Sequence, residues 1–389
     1  MKINSSTNTV ATGLAMFSMF FGAGNVVFPL GLGQYAQNHN LYAILGILIT
    51  AVGVPFAGLI AMTLFNGDYK KFFERIGVTP GFLVITIILG LIGPFGAIPR
   101  CIVLSYATLK PYLSESFTLP WFSILSCIVI FIFTIRRNNI IDVLGYVLTP
   151  ILLITLAIII IKGILLSPPL EPSVHSKLDV FIKGIKEGYQ TMDLLAAFFF
   201  SSVVISCLKK DIDTTDAQNY KKVIFLSLKA SVIGAFLLSI VYVGFSFVAA
   251  FHSQSLIGIS QGELPGAIAL HVLGPYAASI AHLAVILACL TTVIALTAVF
   301  ADFTHQDIFR SKLNYGWSLI LTLTIAFFVS TLNFTGIANF LSPILQVCFP
   351  ALIMLCFVNI LYKLYHFSWV KTPVFITFIF SLIFYLTSQ

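Results

Sequence analysis

The chain has 389 residues, of which 21 are Lys or Arg and 14 are Asp or Glu. Charged residues make up 9% of it and apolar residues 59%, where soluble domains carry roughly 25% charge. So few charges cannot cover a globule of this size. That excludes a cytosolic enzyme, a nucleic-acid-binding module and a disordered chain, and leaves a protein whose solvent is lipid. The net charge of +7 fits basic cytoplasmic loops and is no sign of a nucleic-acid partner.

About 20 mostly apolar residues cross a bilayer. Eleven such spans are predicted: 10–35, 41–65, 81–109, 120–135, 140–166, 189–208, 223–251, 275–303, 315–333, 337–362 and 370–387. All should be helical, because lipid offers the backbone no hydrogen-bond partners. The first follows a single early charge, Lys2, but runs past Leu30 and reads as a retained span, not a signal peptide. The six cysteines, Cys101, Cys127, Cys207, Cys289, Cys348 and Cys356, lie in or beside apolar runs without metal-ligand spacing. They read as small buried apolar residues.

The first span contains MFSMFFGAGNVVFPLGLG, with Gly22, Gly24, Asn25 and Pro29 near its middle. Gly and Pro both disfavour a continuous helix. An unwound stretch there would free backbone groups at membrane depth, tolerable where they line a cavity. A small-residue packing face is the rival reading. In the third span Arg100 follows Pro99. It can snorkel outward, pair with Asp193, or close an external gate.

The stretch 167–188 opens Ser-Pro-Pro-Leu-Glu-Pro and reads as an external loop. The sixth span then begins near GYQTMDLLAAFFF, and Asp193 lies inside it. An intramembrane carboxylate is a functional candidate unless it merely caps a half-helix. Residues 252–274 form a second external loop, too apolar for plain linker. They suit a short helix over the external mouth, either a lid or a helix with no gating role. In the eighth span His282 is the one ionisable group, read as a satisfied interior histidine in preference to a proton carrier. Asp302, His305 and Asp307 cluster at that span's end. They could suggest a membrane enzyme, but no HExxH, GxSxG or P-loop accompanies them, and helix termination is the plainer reading.

The two irregular spans are the first and the sixth, five apart. They open corresponding blocks of five, and an odd offset inverts the second block in the membrane. Interrupted helices at matching positions of an inverted repeat point to a transporter binding site. The predicted organisation is therefore a first repeat at 1–166, an external loop at 167–188, a second repeat at 189–365 and an extra helix at 366–389. With the N-terminus inside, fifteen basic residues fall in cytoplasmic loops and five in external ones, which predicts that orientation and, with eleven spans, an external C-terminus.

FSMFFGAGNVVFP (17–29) and GYQTMDLLAAFFF (188–200) resemble the first- and sixth-span signatures of the bacterial branched-chain amino acid transport system II carriers, the Leu/Ile/Val:cation symporters. GPFGAIPRCIVLSYA (93–107) and LACLTTVIALTAVFADF (287–303) are similar to that family's third and eighth spans. The likeness runs from about residue 8 to 365. That family usually has twelve spans, so eleven here would mean a shortened C-terminus.

The resemblance implies an all-α polytopic membrane protein with the inverted five-plus-five fold of the leucine-transporter type. It also implies sites. The substrate carboxylate would meet the backbone N–H groups around Gly22, Ala23, Gly24 and Asn25, where free amides and the helix dipole favour an anion. The carbonyls of Met192 and Asp193 would face the ammonium group. A sodium ion would take the carbonyls of Ser18, Phe21 and Ala288 with the hydroxyls of Thr291 and Thr292, a hard-oxygen set suited to that ion. The alternative for both hydroxyls is back-bonding one turn earlier. Arg100 would serve as a gate or a structural residue. The expected activity is symport of leucine, isoleucine or valine with a cation, most simply sodium, across a bacterial inner membrane. Lipid is then the surrounding partner, and no cofactor or covalent chemistry is needed. Proton-coupled carriage of another small amino acid is the alternative. An enzyme using Asp302 and His305 is the remote one.

Overall fold

The computed structural model describes residues 5–135, 140–210 and 217–387. Among them the chain is helical throughout, and helices cover all eleven predicted spans. Lys2, Arg136 and Arg137, which contribute to the basic asymmetry, lie outside the described residues, as does Gln389.

The first span is two helices, α1 (Ser5–Phe20) and α2 (Ala23–Ala36). The second is α3 (Asn40–Leu48) and α4 (Val54–Leu64), joined through a wider π-type turn at Ile49–Gly53. A short α5 (Tyr69–Glu74) follows, started by the Asp68 side chain accepting from the Lys71 N–H. The third span is also broken, into α6 (Val78–Ile92) and α7 (Ala97–Leu109). This break was not predicted. Its cause is Gly93-Pro94-Phe95-Gly96: Pro94 has no N–H, and the chain turns with Phe95 N–H on Gly90 O (3.0 Å). The fourth and fifth spans are α8 (Leu119–Ile135) and α9 (Ile140–Leu165).

The sixth span departs from the expected boundary. Helix α10 (Lys177–Gln190) begins inside the stretch predicted as loop, and α11 (Asp193–Lys210) continues it. Ser176 caps α10 by accepting from the Asp179 N–H (3.1 Å). The polar face of α10 hid it from a hydropathy reading, while its glycine face packs on α3. A β-carbon at Gly184 would lie 2.4 Å from Ala43 O, and one at Gly46 would lie 2.4 Å from Phe181 O. Backbone touches backbone at this crossing, which is where Gly is required.

Helix α12 (Ala217–Phe251) forms the seventh span. The loop after it carries the expected short helix, α13 (Leu264–Leu273), flanked by Gly258 and Gly274, both at positive φ. Then come α14 (Pro275–Phe303), α15 (Tyr315–Ser330), α16 (Asn333–Tyr365) and α17 (Lys371–Thr387). Helices α1, α2, α3, α4, α10, α11 and α12 pack mainly on one another, α10 against α3 and α12 against α1 and α2. Helices α7, α8, α9, α14 and α15 form a second group, with α14 between α7 and α9. The long apolar helices, with lipid-sized faces of exposed Ile, Leu and Phe, make this a multi-pass membrane protein.

Candidate functional site

Three helix breaks meet at one point. The first lies at Phe21–Gly22, one residue earlier than the expected unwinding at Gly22–Asn25, and Ala23 is already helical. Asn25 sets that boundary. Its Oδ1 accepts the Gly22 N–H (3.0 Å), and its own N–H reaches Gly22 O (3.2 Å). In a continuous helix those N–H groups would have bonded Ser18 O and Phe21 O, so both carbonyls lose their ladder partners. Beyond the break, the Ala23 and Gly24 amides have no acceptor within α2. Ala23 N–H faces the Cys101 sulfur, a weak acceptor.

The break in the sixth span lies at Thr191–Met192, with Met192 at φ 61°. It abuts the first break directly: a β-carbon at Gly24 would sit 3.2 Å from Thr191 Cα and 3.3 Å from the Phe28 ring. Gly22 faces span 8 with more room, 3.7 Å from Thr292 Cγ2. Together with the third break, these segments line a cavity of about 40 Å³, bounded by Gly22, Gly24, Arg100, Thr191, Asp193 and Thr292 with an apolar wall that includes Ile92, Phe200 and Leu296. By that measure one water needs roughly 10–15 Å³, so this conformation has room for water and none for an amino acid. A wider opening of about 500 Å³ lies further toward the Ala36 end of α2 and the Lys177 end of α10.

Arg100 is 1% exposed and does not meet Asp193. Its guanidinium donates to Gln190 O (2.7 Å) and Gln190 Oε1 (2.6 Å), capping the carbonyl end of α10. Phe28 and Phe334 lie against it at 5.1 and 5.8 Å. Its side chain is held between the two helix groups and does not snorkel.

Asp193 is 2% exposed and opens α11. Asn25 Nδ2 donates to Oδ1 and Oδ2 (2.8 and 2.9 Å), and Tyr242 Oη donates to Oδ2 (2.6 Å). Asn25 also donates to Tyr242 Oη. Three elements, α2, α11 and α12, are thus tied through one carboxylate. The Met192 carbonyl is not free: it accepts the Ala196 N–H (3.1 Å). Tyr242 was not anticipated, because an apolar run absorbs one tyrosine. The signal was the hydroxyl itself, which needs a partner when buried in a span.

In span 8, Thr291 and Thr292 both donate to Ala288 O (2.9 and 3.0 Å). The hydroxyl protons are spent there, while the oxygen lone pairs remain. In donor type, the Ser18 and Phe21 carbonyls and the two hydroxyls are the hard oxygens that a sodium ion takes. The Ala288 carbonyl fits less well, since it already accepts both threonines. His282 is held by Tyr112 Oη on Nδ1 and Gly266 O on Nε2 (both 3.2 Å). His305 is bonded to Leu313 O (2.6 Å), and Asp307 is paired with Lys70 (2.6 Å). Among the described residues no three His, Cys, Asp or Glu are grouped to hold a metal.

Beyond the end of α7, Lys110 pairs with Glu263 at the start of α13 (2.8 Å). The hydrogen bond between them holds the Lys110 amine above its ordinary range and the Glu263 carboxyl below its own.

The fold is shared with solved transporters. Mhp1 in an inward-facing conformation superposes at TM-score 0.68 and 15% identity, over 97% of this chain and 89% of that one. MhsT in complex with L-phenylalanine superposes at 0.61 and 15% identity, over 98% of each chain. In sequence, the chain is 30% identical to the branched-chain amino acid permease BrnQ of Bacillus subtilis (strain 168), over 93% of this chain and 82% of that protein. The family model for branched-chain amino acid transport proteins matches residues 5–389. The chain therefore belongs to the branched-chain amino acid transport protein family and, with an all-helical fold of the leucine-transporter type, is a transporter and not an enzyme.

Proposed function

We propose that this protein carries leucine, isoleucine and valine into the cell by cation-coupled symport, with sodium as the coupling ion. The observation that carries the reading is the meeting of the breaks at Gly22–Gly24 and Thr191 around a cavity with an apolar wall. The Ala23 and Gly24 amides at the positive end of α2 suit the substrate carboxylate. The wall of Ile92, Ala97, Ala196, Phe200 and Leu296 suits a branched aliphatic side chain. Discrimination among the three substrates is weak in this reading, since one methylene changes binding by only about 1–3 kcal/mol.

The cycle is alternating access. Spans 1, 2, 6 and 7 move as a bundle against spans 3, 4, 8 and 9. Arg100 and Gln190, with Phe28 and Phe334, close the cavity from outside. Sodium takes Ser18 O, Phe21 O and the Thr291 and Thr292 hydroxyls, and the apolar surface sits in the cell membrane with the N-terminus inside. Counterflow of labelled leucine in proteoliposomes tests the reading. Preloaded unlabelled leucine should drive transient uptake of label above equilibrium. Simple equilibration would mean a channel, and no leucine-dependent flux would refute the substrate.

A further inference from the structure

Both ends of the sixth-span break are neutralised from within the protein. Arg100 caps the carbonyl end of α10, and Asp193 sits in the first turn of α11, where a negative charge meets the positive helix end. The first-span break has no such residues. The Ser18 and Phe21 carbonyls are released at the end of α1, and α2 begins with no acidic residue in its first turn. A substrate carboxylate therefore finds an open positive pole at the start of α2, and the acceptor for the ammonium has to come from elsewhere in the cavity wall.

Asp193 faces that same cavity. A carboxylate offers roughly four lone-pair sites. Asn25 reaches both oxygens and Tyr242 reaches Oδ2, and the nearby Thr191 hydroxyl donates its proton to Gly188 O, so these partners bring no positive charge to the carboxylate. All its described partners are neutral, and the buried cation lining the same cavity, Arg100, is turned to Gln190. The Met192 carbonyl, one of the two expected to receive the ammonium, is engaged by Ala196. The Asp193 carbonyl opens the ladder of α11 as its first acceptor.

On the reading that the substrate is a branched-chain amino acid, we infer that the Asp193 side chain, not the nearby backbone, receives the substrate's α-ammonium group. Asn25 and Tyr242 are positioning residues that hold the carboxylate toward the cavity. The site thus recognises a primary ammonium adjacent to a carboxylate, and a branched-chain acid lacking the ammonium should be excluded by an unpaired buried charge.

The test pairs a ligand deletion with a residue deletion. Labelled leucine is bound to purified protein in lipid nanodiscs and displaced by leucine or by 4-methylpentanoate, which has hydrogen in place of the ammonium. In the parent, 4-methylpentanoate should compete roughly thirtyfold or more worse than leucine, the low end for truncating one partner of a buried charge pair. In Asp193→Asn, leucine should weaken and the gap between the two ligands should contract several-fold. Equal weakening of both ligands overturns the inference and leaves Asp193 as a structural tie. An unchanged gap with a shifted sodium dependence overturns it in favour of a coupling-cation site. If Asp193→Asn does not reach the membrane, Tyr242→Phe replaces it. Losing the tyrosine hydroxyl loosens the hold on the carboxylate, so leucine should weaken more than 4-methylpentanoate and the gap should contract, and an unchanged or wider gap rejects the assignment. A parent that binds no leucine overturns the substrate reading on which the inference rests.

Discussion

Gly24 marks the point where the first-span and sixth-span breaks touch. A β-carbon there would lie 3.2 Å from Thr191 Cα and 3.3 Å from the Phe28 ring, tighter than ordinary contact. The ring can rotate, but the Thr191 backbone belongs to the other break. A side chain at Gly24 must therefore separate the two half-helices or fill the approach to the α2 amides. Gly22 differs, because its nearest neighbour is a methyl group at ordinary contact distance. Gly24→Val should abolish leucine uptake with near-normal membrane expression, and Gly22→Ala should reduce it far less. Uptake normalised to surface protein decides the point. Equal loss in both variants would mean that glycine serves helix propensity here, about 1 kcal/mol per residue, and not close approach.

At the scale of elements, Arg100 joins α7 to the end of α10 across the boundary between the two helix groups. Its fork satisfies a helix-end carbonyl that would otherwise be buried unpaired, at a cost of about 1–3 kcal/mol. Arg100→Lys retains charge but loses the fork. If this contact closes the cavity from outside, weakening it should raise external access. Labelling of Cys101 by a membrane-impermeant thiol reagent, in a background with Cys101 as the sole cysteine, should be faster in Arg100→Gln than with Arg100 present, with Arg100→Lys intermediate. Equal labelling would reduce Arg100 to a packing residue. The sequence made Arg100 and Asp193 conspicuous because charge is rare in a span, and a pair between them was one of the three readings open for Arg100. Each instead serves a helix end, which depends on where the sixth span breaks, and hydropathy does not report that. The third-span break was legible in Gly-Pro-Phe-Gly, but the motif was weighed only for its likeness to a family. Helix α10 reads as loop in the sequence because Lys177, Lys183 and Lys186 break up its hydropathy, while the residues that dock it on the second span, Gly184 and Gly188 among them, carry no hydropathy signal.

For the whole molecule, orientation and coupling are linked, because an inward gradient drives uptake only if the sites open in the right order. The basic asymmetry predicts a cytoplasmic loop at Asn66–Gly67 and an external C-terminus. Reporter insertions at Asn66–Gly67 and after Gln389 should therefore report opposite sides, and the same side for both would reverse a span. Coupling requires an ion that holds bundle and scaffold together in one state. Gly22 beside Thr292 is where the first span meets the eighth. On the proposed sodium reading, the released Ser18 and Phe21 carbonyls and the lone pairs of Thr291 and Thr292 would supply oxygens from both sides. Removing one hydroxyl leaves a bound ion short of a ligand. A lost hydrogen bond to a charged group is worth about 1.5–3 kcal/mol, and a lost ion ligand of similar size weakens the sodium response roughly ten- to hundredfold. Thr292→Ala should raise the sodium concentration for half-maximal leucine uptake, and leucine affinity should recover at high sodium. Thr292→Ser keeps the oxygen and should be milder. His282→Gln is the contrast. It removes a titrating group bonded to Tyr112 and Gly266 and leaves the oxygen cage untouched, so the sodium response should stay at the parent value. Uptake that ignores sodium, follows a pH gradient and collapses only in His282→Gln would make the proton the driving ion. The threonine pair would then be structural, its hydroxyls serving only the Ala288 carbonyl.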